Sequence, residues 1–390
     1  MMRRLRLPAI SPAGVLFALL GTAALFAPFM SLAANRIVAG DGVAIWNVAG
    51  PQVTVVALLA VVAALVLGLF EGKEWVRLTG AAIGLLGLVA LLALGGPILL
   101  EGAGAYARVS PSSGFWYLLA VMGLLAADAV TQLAPKPAAR AALLVGVVAM
   151  LAVLFQSGAL TALSISNEFS SRKGAFGDAL GRHLWLAFGS LAMAVGIGLP
   201  LGIMCHRSER LRSALLPALS FLQTIPSLAM FGIMIPILGW IGDNFPAAQA
   251  IGIAGIGFAP AFLALVLYSL LPVVSNTIAG LHSTPPAVLD AARGMGMTPS
   301  QRLWRVEFPL GLPVILTGIR IVLVQNIGLA VIAGLVGGGG FGTFVFQGLN
   351  QTATDLILLG ALPTVVLALV AAVVMDIVID LTKTNSEQAA

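Results

Sequence analysis

The side chains able to do chemistry are few in this chain, and they gather between residues 281 and 313, LHSTPPAVLDAARGMGMTPSQRLWRVEFPLGLP. That stretch holds Asp290, Arg293, Arg302, Arg305 and Glu307, while the sequence on either side is almost free of charge. The motifs of enzyme chemistry are missing: there is no H-E-x-x-H for a zinc hydrolase and no G-x-S-x-G for a serine nucleophile. No G-x-x-x-x-G-K-[ST] occurs either, so the chain has no P-loop with which to bind and hydrolyse ATP. A lone cysteine, Cys205, excludes an intramolecular disulfide and a cysteine-based zinc site. His183, His206 and His282 lie far apart near the ends of apolar runs, without metal-ligand spacing, and read as solvated or interfacial. Residues 337–342, GGGGFG, formally contain G-x-G-x-x-G, but no βαβ context surrounds them, and a glycine-rich external loop is the better reading.

A second, thinner set of polar residues falls inside apolar runs: Asp128, Gln223, Thr224, Gln325 and Asn326. A carboxylate within a membrane is a functional candidate by default. Asp128 lies close to the end of its run, beside Thr131 and Gln132, where facing headgroups is the alternative. Gln325 and Asn326 are more central, and either line a path for a polar solute or bond across helices. Asp376 and Asp380 sit near the last boundary and are expected to snorkel to water.

The elements that position the charged cluster are legible from turn and cap chemistry. Thr284 is placed to cap a short helix opening at Pro285 and Pro286, where missing N–H groups do little harm. Gly296 supplies a left-handed residue at its end. Thr298 caps a second helix, with Pro299 at its first position and Gln301 completing a capping box. Pro309 is expected to stop this helix by pushing Phe308 out of the α region.

At these residues the sequence resembles the EAA loop of ABC-importer membrane subunits. The family signature is an acidic-Ala-Ala triplet, a Gly four residues after the last Ala, and an apolar-x-apolar-Pro ending that begins ten residues beyond the Gly. Asp290-Ala291-Ala292, Gly296 and Val306-Glu307-Phe308-Pro309 match that spacing, with Asp in place of the usual Glu and Phe in place of Leu. The resemblance implies a cytoplasmic coupling helix seated in a cleft of a separate ATPase subunit. Asp290, Ala291, Ala292, Arg293, Gly296, Glu307 and Pro309 would be its ATPase-coupling residues, with Pro309 and Pro313 as hinges to the following span.

Composition agrees with a membrane location. The 390 residues are 59% hydrophobic and 9% charged, with a mean hydropathy of +1.05; soluble domains carry about a quarter charged residues. The net charge of +5 suggests nucleic acid at first sight, but the basic residues sit in short loops between apolar runs, as membrane orientation requires. Apolar runs fall near residues 15–32, 52–70, 78–98, 116–133, 141–158, 183–205, 214–239, 248–275, 310–336 and 356–380, which makes about ten helices. The first follows Arg3, Arg4 and Arg6 and is either a signal peptide or a retained helix; its length favours the latter. Alternating the loops puts the N-terminus, Lys73/Arg77, Lys136/Arg140, Arg207/Arg210/Arg212, the EAA-like stretch and Lys383 on the cytoplasmic side. One loop, with Arg172 and Lys173, runs mildly against that count. Trp46, Trp116, Trp185 and Trp240 lie at run ends, as an interfacial belt would. Gly198 and Gly202 suit close helix packing within one subunit.

Two further stretches are similar to the osmoprotectant branch of these importers, which serves glycine betaine, choline and related quaternary amines. They are residues 223–229, QTIPSLA, and residues 306–315, VEFPLGLPVI, leading through Gly318-Ile319-Arg320 to Leu335-Val336-Gly337. The resemblance covers roughly residues 180–382. It implies an all-α integral membrane protein whose C-terminal part is a five-helix permease core, and makes Gln223, Thr224, Pro226, Gln325 and Asn326 candidates for the translocation path. It also implies three protein partners: an ABC ATPase that holds ATP and Mg, a second permease subunit, identical or different, and an extracytoplasmic solute-binding protein. Membrane lipid surrounds the chain, no nucleic acid is expected, and this chain binds no cofactor itself. The expected division is residues 1–160 as a block of about five helices of open role, 161–182 as a polar linker, 183–382 as the permease domain and 383–390 as a cytoplasmic tail. The bacterial inner membrane is the expected location. An ATP-independent carrier or channel for a small polar solute is the alternative; such carriers need ionisable groups or broken helices at the midplane, and few are evident.

Overall fold

The computed structural model describes residues 10–71 and 74–388. The expectations for Arg3, Arg4, Arg6 and Lys73 therefore lie outside the described residues. The chain divides into two compact units, Met1–Ser171 and Arg172–Ala390. Among the described residues nine helices are long and apolar enough to cross a membrane, four before residue 171 and five after it.

The first unit begins with α1 (Pro12–Leu25), capped by Ser11, whose side chain accepts from Gly14 N–H. This helix has 14 residues, short of the full span expected over 15–32. Pro28 is the cause: it bars the residue before it from the α region, so the chain leaves the helix and enters β1 (Met30–Ala33). The segment nonetheless runs the length of α2 (Pro51–Leu69). Ser11 N–H donates to Leu69 O at one end of α2, and Phe29 N–H donates to Val43 O shortly before the other begins. The remaining spans of this unit are α3 (Glu74–Leu100), α4 (Ser113–Leu133) and α5 (Pro137–Gln156). β1 lies between β2 (Asp41–Val43) and β3 (Arg108–Pro111), both antiparallel, with Met30 opposite Val43 and Pro111. This small sheet is a local addition that helical periodicity did not suggest.

Asp128 does not simply face headgroups. It pairs at 2.6 Å with Arg77, itself 1% exposed, and accepts from Gln132 Nε2 at 3.0 Å. A buried arginine without a carboxylate is costly in an apolar medium, so α3 and α4 each supply half of a pair that neither could bury alone. The polar stretch 161–182 is helical and contains the division between the units: α6 (Ser164–Ser171) ends the first, and Glu168 there pairs with Arg36 at 3.0 Å.

The second unit opens with α7 (Lys173–Leu184), which passes through a π turn at 185–189 into α8 (Ser190–Arg207). The run expected at 214–239 is two helices, α9 (Glu209–Thr224) and α10 (Ser227–Asn244). Pro226 breaks them, holding Ile225 in extended backbone with ψ 125°. After a short α11 (Pro246–Ala250) comes α12 (Phe258–His282), starting ten residues later than the hydropathy of 248–275 suggests because Gly252 and Gly257 adopt positive φ. The chain continues through α13 (Pro286–Gly294), α14 (Pro299–Arg302), α15 (Phe308–Leu329), α16 (Gly342–Asn350) and α17 (Thr354–Gln388), the last helical through most of the expected tail.

α12 is the centre of this unit, with α8 and α15 packed against it at backbone distance. A Cβ on Gly202 would fall 2.5 Å from Thr277 Cβ, and one on Gly198 would fall 2.8 Å from a Val273 methyl. On the α15 side, a Cβ on Gly311 would fall 2.4 Å from Gly280 O. Lipid tails are as apolar as the helices, so close contact between backbones supplies the attraction that water would drive elsewhere. Gly311→Ala is therefore expected to destabilise the chain by about 1–3 kcal/mol. Gly232→Ala in α10, where an added Cβ meets nothing within 4 Å, is expected to be neutral or mildly stabilising. Thermal unfolding of the purified chain in detergent compares the two.

Candidate functional site

The charged loop between α12 and α15 has the cap chemistry its sequence suggests, with two differences. The first helix starts one residue late: Pro285 is its N-cap, its carbonyl accepting from Val288 N–H, and Thr284 is buried with its hydroxyl unbonded instead of capping. At the other end Gly296 adopts φ +74°, and Met297 N–H closes back on Ala292 O at 3.1 Å. Asp290 and Arg293 form an exposed ion pair at 2.9 Å, on a helix whose Ala292 is 1% exposed and faces inward. The capping box forms: Gln301 N–H donates to Thr298 Oγ1 at 3.3 Å, and Thr298 N–H donates to Gln301 Oε1 at 2.9 Å.

The second difference is at Pro309, which does not stop the helix. Residues 299–329 run on without interruption, passing through a π turn at 303–307 before α15. The wider turn removes the need for the N–H that proline lacks and gives its ring room against the preceding carbonyls. The loop thus enters the membrane as part of one continuous rod.

Glu307, in the π turn, is 5% exposed and doubly bonded. Its Oε1 accepts from Arg302 Nε at 2.9 Å and its Oε2 from His206 Nε2 at 2.9 Å. His206 Nδ1 lies 3.2 Å from His282 Nδ1, the two rings meeting edge to face. Three parts of the chain that the sequence separates by up to 101 residues meet here. Of the three histidines read as solvated or interfacial, His206 is thus a partner of a loop residue and His282 a partner of His206, while His183 is fully buried against the Phe341 ring. No local pattern signals this, because helix ends are brought together by packing alone.

The polar residues expected inside spans are placed in two ways. Gln223 and Thr224 end α9 at the Pro226 break, and Thr224 and Pro226 are exposed. Gln223 Nε2 donates to Tyr268 O at 2.8 Å, and Tyr268 hydroxyl donates to Ile225 O. Gln325 is half-buried on α15. Asn326 is fully buried and bonds across helices, its Nδ2 donating to Ser190 Oγ at 3.0 Å and Ser269 Oγ at 2.9 Å. Both polar sets converge on neighbouring residues of α12, Tyr268 and Ser269. Ser190, Ser269 and Tyr268 escape a reading of the sequence, since single hydroxyls in apolar helices are common. Among the described residues no group of three or more His, Cys, Asp or Glu side chains is arranged to hold a metal.

Comparison with known proteins divides at the same place as the fold. Residues 198–384 match the family described as binding-protein-dependent transport system inner membrane component. Residues 11–166 match the family described as ABC transporter permease YehY, N-terminal domain. Over 189 residues the chain is 43% identical to the osmoprotectant import permease protein OsmW of Salmonella typhimurium, covering 48% of this chain and 83% of that one. It is 37% identical to the carnitine transport permease protein OpuCB of Listeria monocytogenes over 48% of this chain and 79% of that one. It is 34% identical to the choline transport system permease protein OpuBB of Bacillus subtilis, again over 48% and 79%.

Replacing Asn326 by Leu would leave Ser190 and Ser269 without their shared partner. The expected cost is about 0.6–1.7 kcal/mol, the range for such bonds between membrane helices. A lowered unfolding midpoint in detergent, reproduced by Ser269→Ala and not further lowered by combining the two, is the measurement that checks it.

Proposed function

Because the chain belongs to the family of binding-protein-dependent transport system inner membrane components, we propose that it imports quaternary-amine osmoprotectants such as glycine betaine, choline or carnitine. The names of the relatives over the second unit support that solute class. The family resemblance and the names of those relatives set aside an ATP-independent carrier. In this reading ATP and its Mg are held by a separate ATPase, in keeping with the missing P-loop. A second permease subunit completes the pathway, and a solute-binding protein delivers the solute from the other face. The chain sits in a bacterial inner membrane, with its termini and the loop of residues 283–307 on the cytoplasmic side.

The observation that carries the coupling role is the build of the loop. α13 offers an exposed acidic-basic pair and a buried Ala292, and is joined by a left-handed glycine to a rod that enters the membrane without a break. A helix docked in an ATPase cleft would pass its displacement along that rod into α15. Recognition of the solute resides largely in the binding protein, which suits the scarcity of charge within the spans. Gln223, Thr224, Pro226 and Gln325 remain proposed for the path, and Asn326 holds its walls together.

The test is co-purification with the ATPase subunit of the same transport system. Asp290→Lys reverses the exposed charge and is expected to weaken binding at least about tenfold, equivalent to ~1.4 kcal/mol. Equal binding by wild type and variant would remove the loop from the interface. Gly296→Val strains a left-handed residue by about 1–2 kcal/mol while its side chain meets open space. It is therefore expected to insert normally and to lose coupled uptake; normal uptake in that variant would count against the role.

A further inference from the structure

We propose that Arg302, Glu307, His206 and His282 form a proton-sensitive clasp that fastens the coupling stretch to two spans and lets go when the imidazole pair takes up two protons. The inference rests on the coupling role proposed for residues 283–307. Neither the loop motif nor the family descriptions assign anything to the two histidines.

The direction of the hydrogen bonds follows from the partners. A carboxylate only accepts, so His206 Nε2, 2.9 Å from Glu307 Oε2, carries its hydrogen. A backbone carbonyl also only accepts, so His282 Nδ1, 2.8 Å from Ile278 O, carries one as well. His206 Nδ1 then presents a lone pair to His282 Nδ1 at 3.2 Å. The chain therefore runs one way: the His282 Nδ1 hydrogen is shared between Ile278 O and the His206 Nδ1 lone pair, His206 donates to Glu307, and Arg302 holds the carboxylate's other oxygen at 2.9 Å. It ties the last turn of α8 and the last residue of α12 to the π turn that leads into α15.

Proton count decides whether this chain can persist. One added proton is accommodated, since it can sit on the Nε2 of the exposed His282 and leave every bond in place. A second must go to His206 Nδ1, which sets two N–H groups against each other at 3.2 Å and two cationic rings 4.5 Å apart. Glu307 offsets one charge at most and already serves Arg302. Arg207, next to His206 on α8, adds repulsion. Glu209 on α9 is paired with Arg212 and so is not free to supply a counter-charge. The rings must then part, and the loop loses its tie to α12. His206 keeps 18% of its side chain exposed, so protons reach it. The sign is fixed: the clasp holds at neutral pH and opens in acid, so import stops when the loop's side of the membrane acidifies.

The test uses proteoliposomes holding the full complex of permease, ATPase and binding protein, with glycine betaine as the probe. The loop side is buffered from about pH 7.5 to about 5.0, reaching well below the ordinary histidine value of about 6.5 because the second proton enters a pair that already carries one. Wild-type uptake is expected to fall at least about fivefold across that range, while ATP hydrolysis falls less, because the proton acts on coupling. His206→Gln keeps an N–H for Glu307 and cannot ionise. It is expected to match wild type at the upper pH and to lose the acid fall. His282→Asn, which keeps a donor for His206 without a second charge, is expected to do the same. The proposal is overturned if wild-type uptake is flat with pH, or if either active variant falls as wild type does. It is likewise overturned if both variants are inactive at every pH while still inserted and bound to the ATPase, since the cluster would then only hold the fold. Failure of the coupling reading itself looks different: Asp290→Lys would bind the ATPase as wild type does at every pH.

Discussion

The second unit depends on one constraint, the approach of α8 and α15 to α12 at backbone distance. In lipid the hydrophobic effect gives helices no reason to prefer each other over acyl chains, so contact must come from close packing and a few polar bonds. Gly198 and Gly202 admit α12 on one side, and Gly280 and Gly311 admit it on the other. Once the backbones touch, Ser190 and Ser269 fall within hydrogen-bond reach of Asn326, whose amide would otherwise be an unpaired polar group in hydrocarbon. The glycines and the asparagine are thus two halves of one arrangement. Small residues set the distance, and the polar side chain makes that distance specific.

The loop inherits its geometry from the same packing. The Gly280–Gly311 contact lies at the end of α12 from which the loop departs, so the loop begins and ends on two helices already in contact. A continuous rod through a π turn, rather than a hinge at Pro309, makes a displacement of α14 a displacement of α15, with α13 joined to the rod through the turn at Gly296. Glu307 then ties the rod to α8 through His206, whose other ring nitrogen meets His282 at the end of α12. A single residue at the boundary between polar loop and apolar span can in this way bias three helices together.

The first unit solves the membrane's polar problem separately. Arg77 is buried and paired with Asp128, and the traverse that α1 cannot complete as a helix is finished by extended backbone whose hydrogen bonds are taken up by β2 and β3. Strand pairing is what permits non-helical backbone there, since every exposed N–H and C=O needs a partner away from water.

Much of this was legible in the sequence because its causes are local. The apolar runs gave most of the spans, the Asp290-Ala291-Ala292, Gly296 and Pro309 spacing gave the loop and its class, and Thr298, Pro299 and Gln301 formed the capping box their order demands. The errors were also local, where one proline outweighed hydropathy. Pro28 and Pro226 cut runs that composition read as continuous, and Pro309, expected to break a helix, was absorbed by a π turn. Residue order by itself determined which segments are helical, which enter the membrane and where the charged loop lies, because backbone propensity and hydropathy act over a few residues. Only the tertiary structure decided that Arg77 meets Asp128, that Asn326 bonds Ser190 and Ser269, and that His206 meets both Glu307 and His282. Those pairings join residues on different helices, and the packing of whole helices, to which no single stretch of chain holds the key, brings them into reach.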